Sequence, residues 1–192
     1  MRDKRDLLLQ TAMALFIAEG LSVPTAAIAK KAGVANGTLF NYFTTKQDLV
    51  DTLYLTTKKE VAAVFQPVFL DPAADFAAVL FGVWDGYIRW AVGNPLKHRT
   101  LRLLKTANAL SKDAAAKAND DFRPLETLAK TAMRRGEILT TDLDYLQHVM
   151  AAQIDAAIDF ALARGVKGKA LGKLIATSFE IFRKGVAPYG DK

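Results

Sequence analysis

Asn36, Gly37, Thr38, Asn41, Tyr42 and Lys46 stand close together in a 192-residue chain, and their types suit recognition rather than bond breaking. A carboxamide such as that of Asn36 pairs with base edges, and the Thr38 hydroxyl donates to a base or touches a thymine methyl. Glycine lets a backbone approach a partner closely. In an exposed helix it also lowers stability by about 1 kcal/mol relative to alanine, so close approach is the reason Gly37 suggests. Tyr42 can donate its phenol to a phosphate. Lys46 falls in the first turn of a helix that Thr45 would cap, where the helix terminus already favours an anion. Phosphate contacts fix register, which leaves Asn36, Gly37 and Thr38 to carry sequence information.

Other chemistries are poorly represented. His98 and His148 are the only histidines and lie far apart. No H-x-x-x-H pair, phosphate-binding glycine loop or serine in a nucleophile elbow occurs. Cysteine is absent, which removes disulfides and thiolate metal sites. The expectation is a protein that is not an enzyme and has neither cofactor nor metal. The net charge of +6 fits a nucleic-acid partner. Its distribution along the chain is less telling: residues 1–50 hold six Lys/Arg against four Asp/Glu, and residues 51–192 hold twenty against sixteen. No run of about 18 apolar residues is free of charge, so no membrane span is expected. Met1-Arg2-Asp3-Lys4-Arg5-Asp6 leads into an amphipathic helix rather than a signal peptide, and the expected location is cytoplasmic.

The elements that must hold the polar cluster are helices. A first helix over 3–19 has an apolar stripe of Leu8, Ala12, Leu15 and Phe16, with Gly20 as its stop. Thr25 is the expected N-cap of a second helix, in which Ile28 and Ala32 face inward; Gly33 makes the turn and Val34 plugs the small core. A third helix over 35–42 buries Leu39 and, just past its end, Phe43, turning Asn36, Gly37, Thr38, Asn41 and Tyr42 outward or to its flanks. Lys30 and Lys31 read as surface charge. Arg2, Lys4 and Arg5 could form a flexible arm that reaches a minor groove.

The spacing from Gly20 through Thr25, Ile28-Ala29, Gly33-Val34, Gly37-Thr38-Leu39-Phe40, Tyr42-Phe43 and Lys46 to Leu49 resembles the TetR family of bacterial helix-turn-helix regulators, over residues 7–50. The resemblance implies an all-α fold of about nine helices: a DNA-binding domain over 1–48 and an effector-binding and dimerisation domain over 49–192. It adds Thr25 to the DNA-contacting set and implies double-stranded DNA with a palindromic operator as partner, since a twofold dimer reads two half-sites. Two departures stand out. Ala35 occupies a position where the family often has serine, so Asn36 competes for the cap. Phe40 replaces a usual tyrosine and lacks its hydroxyl.

Beyond residue 49 the fourth helix is expected to end near Phe65, broken by the segment from Gln66-Pro67 to Pro72. A helix over 74–92 is apolar around most of its circumference, so it should lie centrally. Its Gly82 and Gly86 make a notch that either admits a neighbouring helix or lines a cavity, and Asp85 and Arg89 are spaced to pair. A basic helix over 96–110 follows, then one over 113–135 that Pro124 must kink or split, and finally helices over 143–163 and 167–187. The family resemblance implies that the last two form a four-helix interface with a second copy. Leu146, Met150, Ile154, Ala157 and Ala161, with Leu174, Ile175, Ser178, Phe179 and Phe182, have the spacing for it. It also implies an effector pocket, for which Trp84, Ile88, Phe122, Met133, Gln153 and Phe160 are the candidates; an apolar lining suits a small hydrophobic or aromatic effector. Asp144, His148, Asp155 and Asp159 share one face and read as solvated. The function expected is a repressor released from its operator by such an effector. The alternative is a DNA-binding regulator that answers to a protein partner or to no small molecule.

Overall fold

The computed structural model describes residues 3–69, 75–118, 120–140 and 142–188. Among them every regular element is helical: α1 (Lys4–Glu19), α2 (Thr25–Lys31), α3 (Asn36–Tyr42), α4 (Lys46–Phe69), α5 (Phe76–Gly93), α6 (Pro95–Thr106), α7 (Lys112–Lys117), a 3-10 turn (Asp120–Phe122), α8 (Arg123–Arg134), α9 (Leu143–Arg164) and α10 (Gly168–Val186). The tenth helix arises where Pro124 splits the expected 113–135 segment; it sits in the first turn of α8, where its missing N–H leaves no bond unmade. No helix of the described residues is long and apolar enough to cross a membrane.

The chain divides into two compact units, one of residues 1–60 and 94–120 and the other of residues 61–93 and 121–192. In the first, α1 buries Leu8, Ala12, Leu15 and Phe16 as expected, and also Leu9 and Met13. The added pair widens the buried arc so that α1 meets α2 and α3 and also packs along α6. From α4, Leu49, Val50, Leu53, Tyr54 and Thr57 join this unit's core, and from α6 His98, Leu101 and Leu104.

In the second unit α5 is central, packing on α8, α9 and α10. Its Trp84 and Ile88 have no exposed surface. The Trp84 indole N–H donates to Ser178 Oγ at 2.9 Å, and that hydroxyl donates to the Ile175 carbonyl at 2.9 Å. Rings of Phe179 and Phe182 close over the indole at 5.7 and 5.0 Å between centroids. Arg89 grips both carboxylate oxygens of Asp85 at 2.8 Å, and this holds the guanidinium pKa above its usual range.

One expectation about α4 is corrected. The helix does not stop at Phe65 but runs through Pro67 to Phe69; Pro72 lies outside the described residues. A proline in a helix interior lowers stability by about 3 kcal/mol, and packing compensates here. A Cβ placed on Gly82 would come within 2.7 Å of a Val68 methyl, and one on Gly86 within 2.9 Å of a Val64 methyl. The α5 notch therefore admits α4. Phe65 is buried beside it, edge-on to Phe122 at 5.7 Å.

Candidate nucleic-acid interface

The helix-turn-helix is built by two local devices. At the end of α2, Gly33 takes φ +71°, its N–H donates to the Lys30 carbonyl at 3.1 Å, and the Val34 N–H donates to Ala29 at 3.0 Å. This paired closure needs a left-handed residue, which glycine supplies without strain. At the other end, Thr45 Oγ1 accepts the Asp48 N–H at 3.0 Å while Asp48 accepts the Thr44 N–H at 2.8 Å, fixing the start of α4. Between them Leu39 and Phe43 are buried, anchoring α3 as the sequence predicts.

Their burial sets the outward face. Asn36, Gly37, Phe40 and Asn41 fall on one arc of α3 and are exposed; Tyr42 is exposed on one flank and Thr38 is half-buried on it. Ala35 holds the N-cap position without a side-chain bond, and Asn36 is the first helical residue. Its carboxamide is therefore not the cap. Phe40 is the residue that sequence reasoning passes over. The sequence singles it out only for the hydroxyl it lacks, yet its ring is 42% exposed among the polar readers. Helix geometry holds the signal, since Phe40 lies one turn beyond Asn36. An exposed ring there suits a thymine methyl.

Three details differ from the sequence expectation. The N-cap of α2 is Pro24, extended at ψ 150° and without a side-chain bond, so Thr25 is the first helical residue and half-buried. Lys4 and Arg5 belong to α1, capped by the Asp3 carboxylate, and the Arg5 guanidinium lies 5.8 Å from the Phe43 ring centre; neither is a flexible arm. Arg2 lies outside the described residues. Lys46 donates its ammonium to the Leu21 carbonyl, which ties the start of α4 to the α1–α2 loop. Two of its three N–H groups remain for an anion.

Residues 8–53 match the sequence model described as "Bacterial regulatory proteins, tetR family". Residues 8–53 are thus a TetR-family DNA-binding segment. Solved structures agree across the length of the chain. A tetR family transcription regulator from Shewanella sp. PV-4 superposes with a TM-score of 0.84 at 26% identity, over 97% of this chain and 100% of that one. One from Marinobacter aquaeolei VT8 gives 0.83 at 19% identity, over 96% and 95%. The regulator FadR from Bacillus subtilis, in complex with stearoyl-CoA, gives 0.65 at 18% identity, over 94% and 98%. The expected all-helical fold is thus observed, and residues 8–53 carry the DNA-binding segment found in TetR-family transcription regulators.

In the second unit the six candidate effector residues differ widely in burial. Trp84 and Ile88 are sealed in the core, Met133 is packed against its edge, Gln153 and Phe122 are half-buried, and Phe160 is 50% exposed under the Arg164 guanidinium. Phe122 belongs instead to an aromatic group with Phe65, Tyr87 and Trp90. The ten candidate interface residues lie largely within the core of their own unit. Leu146, Ile154, Ala157, Ala161, Ile175, Ser178, Phe179 and Phe182 are buried against their own chain, and Met150 and Leu174 are half-buried. Apolar periodicity marks the inner faces of α9 and α10. Their outer faces carry Tyr145, Ala152, Ala156 and Phe160 on α9, and Ala176, Thr177 and Ile181 on α10. Ala176, Thr177, Glu180, Ile181 and Lys184 line a shallow groove there.

Proposed function

We propose that this chain is a TetR-family regulator and a homodimeric repressor of a palindromic operator, with DNA reading in residues 1–48 and dimerisation and effector response in residues 49–192. The observation that carries the reading is the outer arc of α3, where Asn36, Gly37, Phe40 and Asn41 stand exposed over a buried Leu39. Thr38 reads from the flank of that arc. Tyr42, Thr25 and Lys46 contact phosphates and set the register.

The second copy docks on the outer faces of α9 and α10. Tyr145, Phe160 and Ile181 there are each at least half exposed, and the alanines between them permit close helix approach. Two heads related by a twofold axis then meet half-sites about one helical turn apart. A small hydrophobic or aromatic effector bound in the second unit favours the dimer that fits DNA less well. It acts only through its differential affinity for the two states, about 1.4 kcal/mol per tenfold. The acyl-CoA in the FadR complex is a precedent in the fold for such a ligand. The aromatic group of Phe65, Tyr87, Trp90 and Phe122 offers a suitable apolar wall. The complete burial of Trp84 and Ile88 favours a second reading, control by a protein partner or by no ligand.

The deciding experiment is selection from a random duplex library at near-physiological salt. A recovered palindrome supports the repressor reading. Selection of a single unpaired half-site counts against the dimer, and sequence-blind, salt-sensitive binding counts against base reading by α3.

A further inference from the structure

The charge of this protein is distributed by its fold, not by its sequence order. The unit that contains the helix-turn-helix carries fourteen Lys/Arg against eight Asp/Glu, while the other unit carries twelve against twelve. The entire net charge of +6 therefore lies on the DNA-reading unit. Most of that excess comes from residues 94–120, which hold six cations against Asp113 and Asp120.

The segment that brings these cations in is fastened to the start of α4. α6 closes with Asn108 at φ +49°, the Asn108 N–H bonded to Lys105 and the Ala109 N–H to Leu104, each at 3.1 Å. That turn presents the Ala109 carbonyl to Gln47 Nε2 at 2.9 Å and the Ser111 N–H to Asp51 Oδ1 at 3.0 Å. Ala109 thus sits beside the residue that follows Lys46. Ser111 then caps α7 through the Ala114 N–H. Lys105, Lys112 and Lys117 emerge exposed and make no ion pair among the described residues, in contrast to Lys97, which is held by Glu60. Along α7, Lys112 and Lys117 are spaced by roughly 8 Å.

We propose that Lys105, Lys112 and Lys117 form a phosphate-contacting flank that extends the DNA footprint outward from the start of α4. The proposal rests on the assignment of that start to a phosphate under the proposed function. The flank lies outside the 8–53 segment that matches the family's DNA-binding model. It adds affinity without base preference.

The test uses the full chain and its selected operator in two forms, trimmed to the palindrome or flanked by about one helical turn on each side. The variant is Lys105→Gln/Lys112→Gln/Lys117→Gln. Lys167→Gln/Lys169→Gln/Lys173→Gln, in the other unit, removes the same charge. On the flanked duplex the first variant should bind at least tenfold more weakly at physiological salt. Its log–log salt slope should be shallower by about 0.9 for each phosphate that is no longer neutralised. Base preference, binding to the trimmed duplex and melting temperature should match the unaltered chain, and the second variant should leave the slope unchanged. An unchanged slope for the first variant, equal losses on both duplexes, or equal effects of the two variants would overturn the flank. Intact duplex binding with abolished binding to polyglutamate would overturn it in favour of an acidic protein partner. Failure of the unaltered chain to bind any duplex would overturn the DNA reading as well.

Discussion

Replacing Ser178 with alanine separates two roles that this side chain could have. In the structure it is 4% exposed and accepts the indole N–H of Trp84, which is fully buried. Alanine removes that acceptor and leaves the N–H in an apolar core beneath Phe179 and Phe182. An orphaned buried donor lowers stability by about 1–3 kcal/mol. For a chain of this size each kcal/mol moves the midpoint by roughly 2–4 °C, so melting should fall by roughly 2–12 °C. Trp84→Phe removes the donor instead. In that background Ser178→Ala should change stability by less than about 0.5 kcal/mol, because no N–H remains to be orphaned. Thermal melts followed by circular dichroism, at two protein concentrations tenfold apart, measure both terms. Dimer dissociation, followed by sedimentation, should be unchanged by Ser178→Ala. A variant that melts with the unaltered protein but dissociates more readily would refute the reasoning and return Ser178 to the subunit interface. An equal loss in both backgrounds would refute the hydrogen bond as the cause.

Three further outcomes follow from local geometry. Gly82→Ala gains about 1 kcal/mol of helix propensity but forces contact with Val68, an overpacking that costs about 1–3 kcal/mol; urea melts should show net destabilisation that reverses in a Val68→Ala background. Thr45→Ala deletes the cap on the Asp48 N–H and should lower stability by about 1 kcal/mol, with faster amide exchange confined to the first turn of α4. Burial raises the Tyr54 pKa above its ordinary value, so its contribution to stability is complete below an unfolded-state pKa of about 10 and is lost as pH rises through the folded value; Tyr54→Phe should flatten that alkaline loss in pH-dependent urea melts.

The parts of the fold that are legible in the sequence are those fixed within a few residues. Gly33 announces the turn, Thr45 the cap of α4, and the spacing of Leu39 and Phe43 the inner side of α3, because each signal is a local bond or a helical repeat. The cap of α2 falls one residue from its expected place, as Pro24 and Thr25 are both acceptable at a helix start. Pro67 misleads more seriously. Local propensity ends a helix there, and only the contacts of Val64 and Val68 with two distant glycines reverse the outcome. The apolar stripes of α9 and α10 are visible in the sequence, but periodicity gives a buried face without saying which surface buries it. Nothing local indicates that α6 and α7 join the reading head. That association rests on contacts such as Gln47 with Ala109, which are 62 residues apart in sequence.

That long-range association bears on how the protein divides its work on DNA. The exposed arc of α3 is neutral, made of two amides, a glycine and a phenylalanine. Energies of base discrimination there depend little on ionic strength, because no phosphate counterion is displaced by an uncharged group. Long-range attraction falls instead to cations elsewhere on the same unit, whose effect is screened within about 8 Å at physiological salt. A weakly basic stretch over residues 1–50 is therefore no obstacle to tight binding, provided α6 and α7 bring charge alongside. The division has a measurable consequence. Asn41→Ala or Phe40→Ala should change which bases are selected while leaving the salt slope intact, whereas removal of the α6–α7 lysines should change the slope and leave the selected sequence intact. Variants of either kind that altered both quantities together would mean that reading and attraction are carried by the same residues, and the neutral arc would then have no separate role.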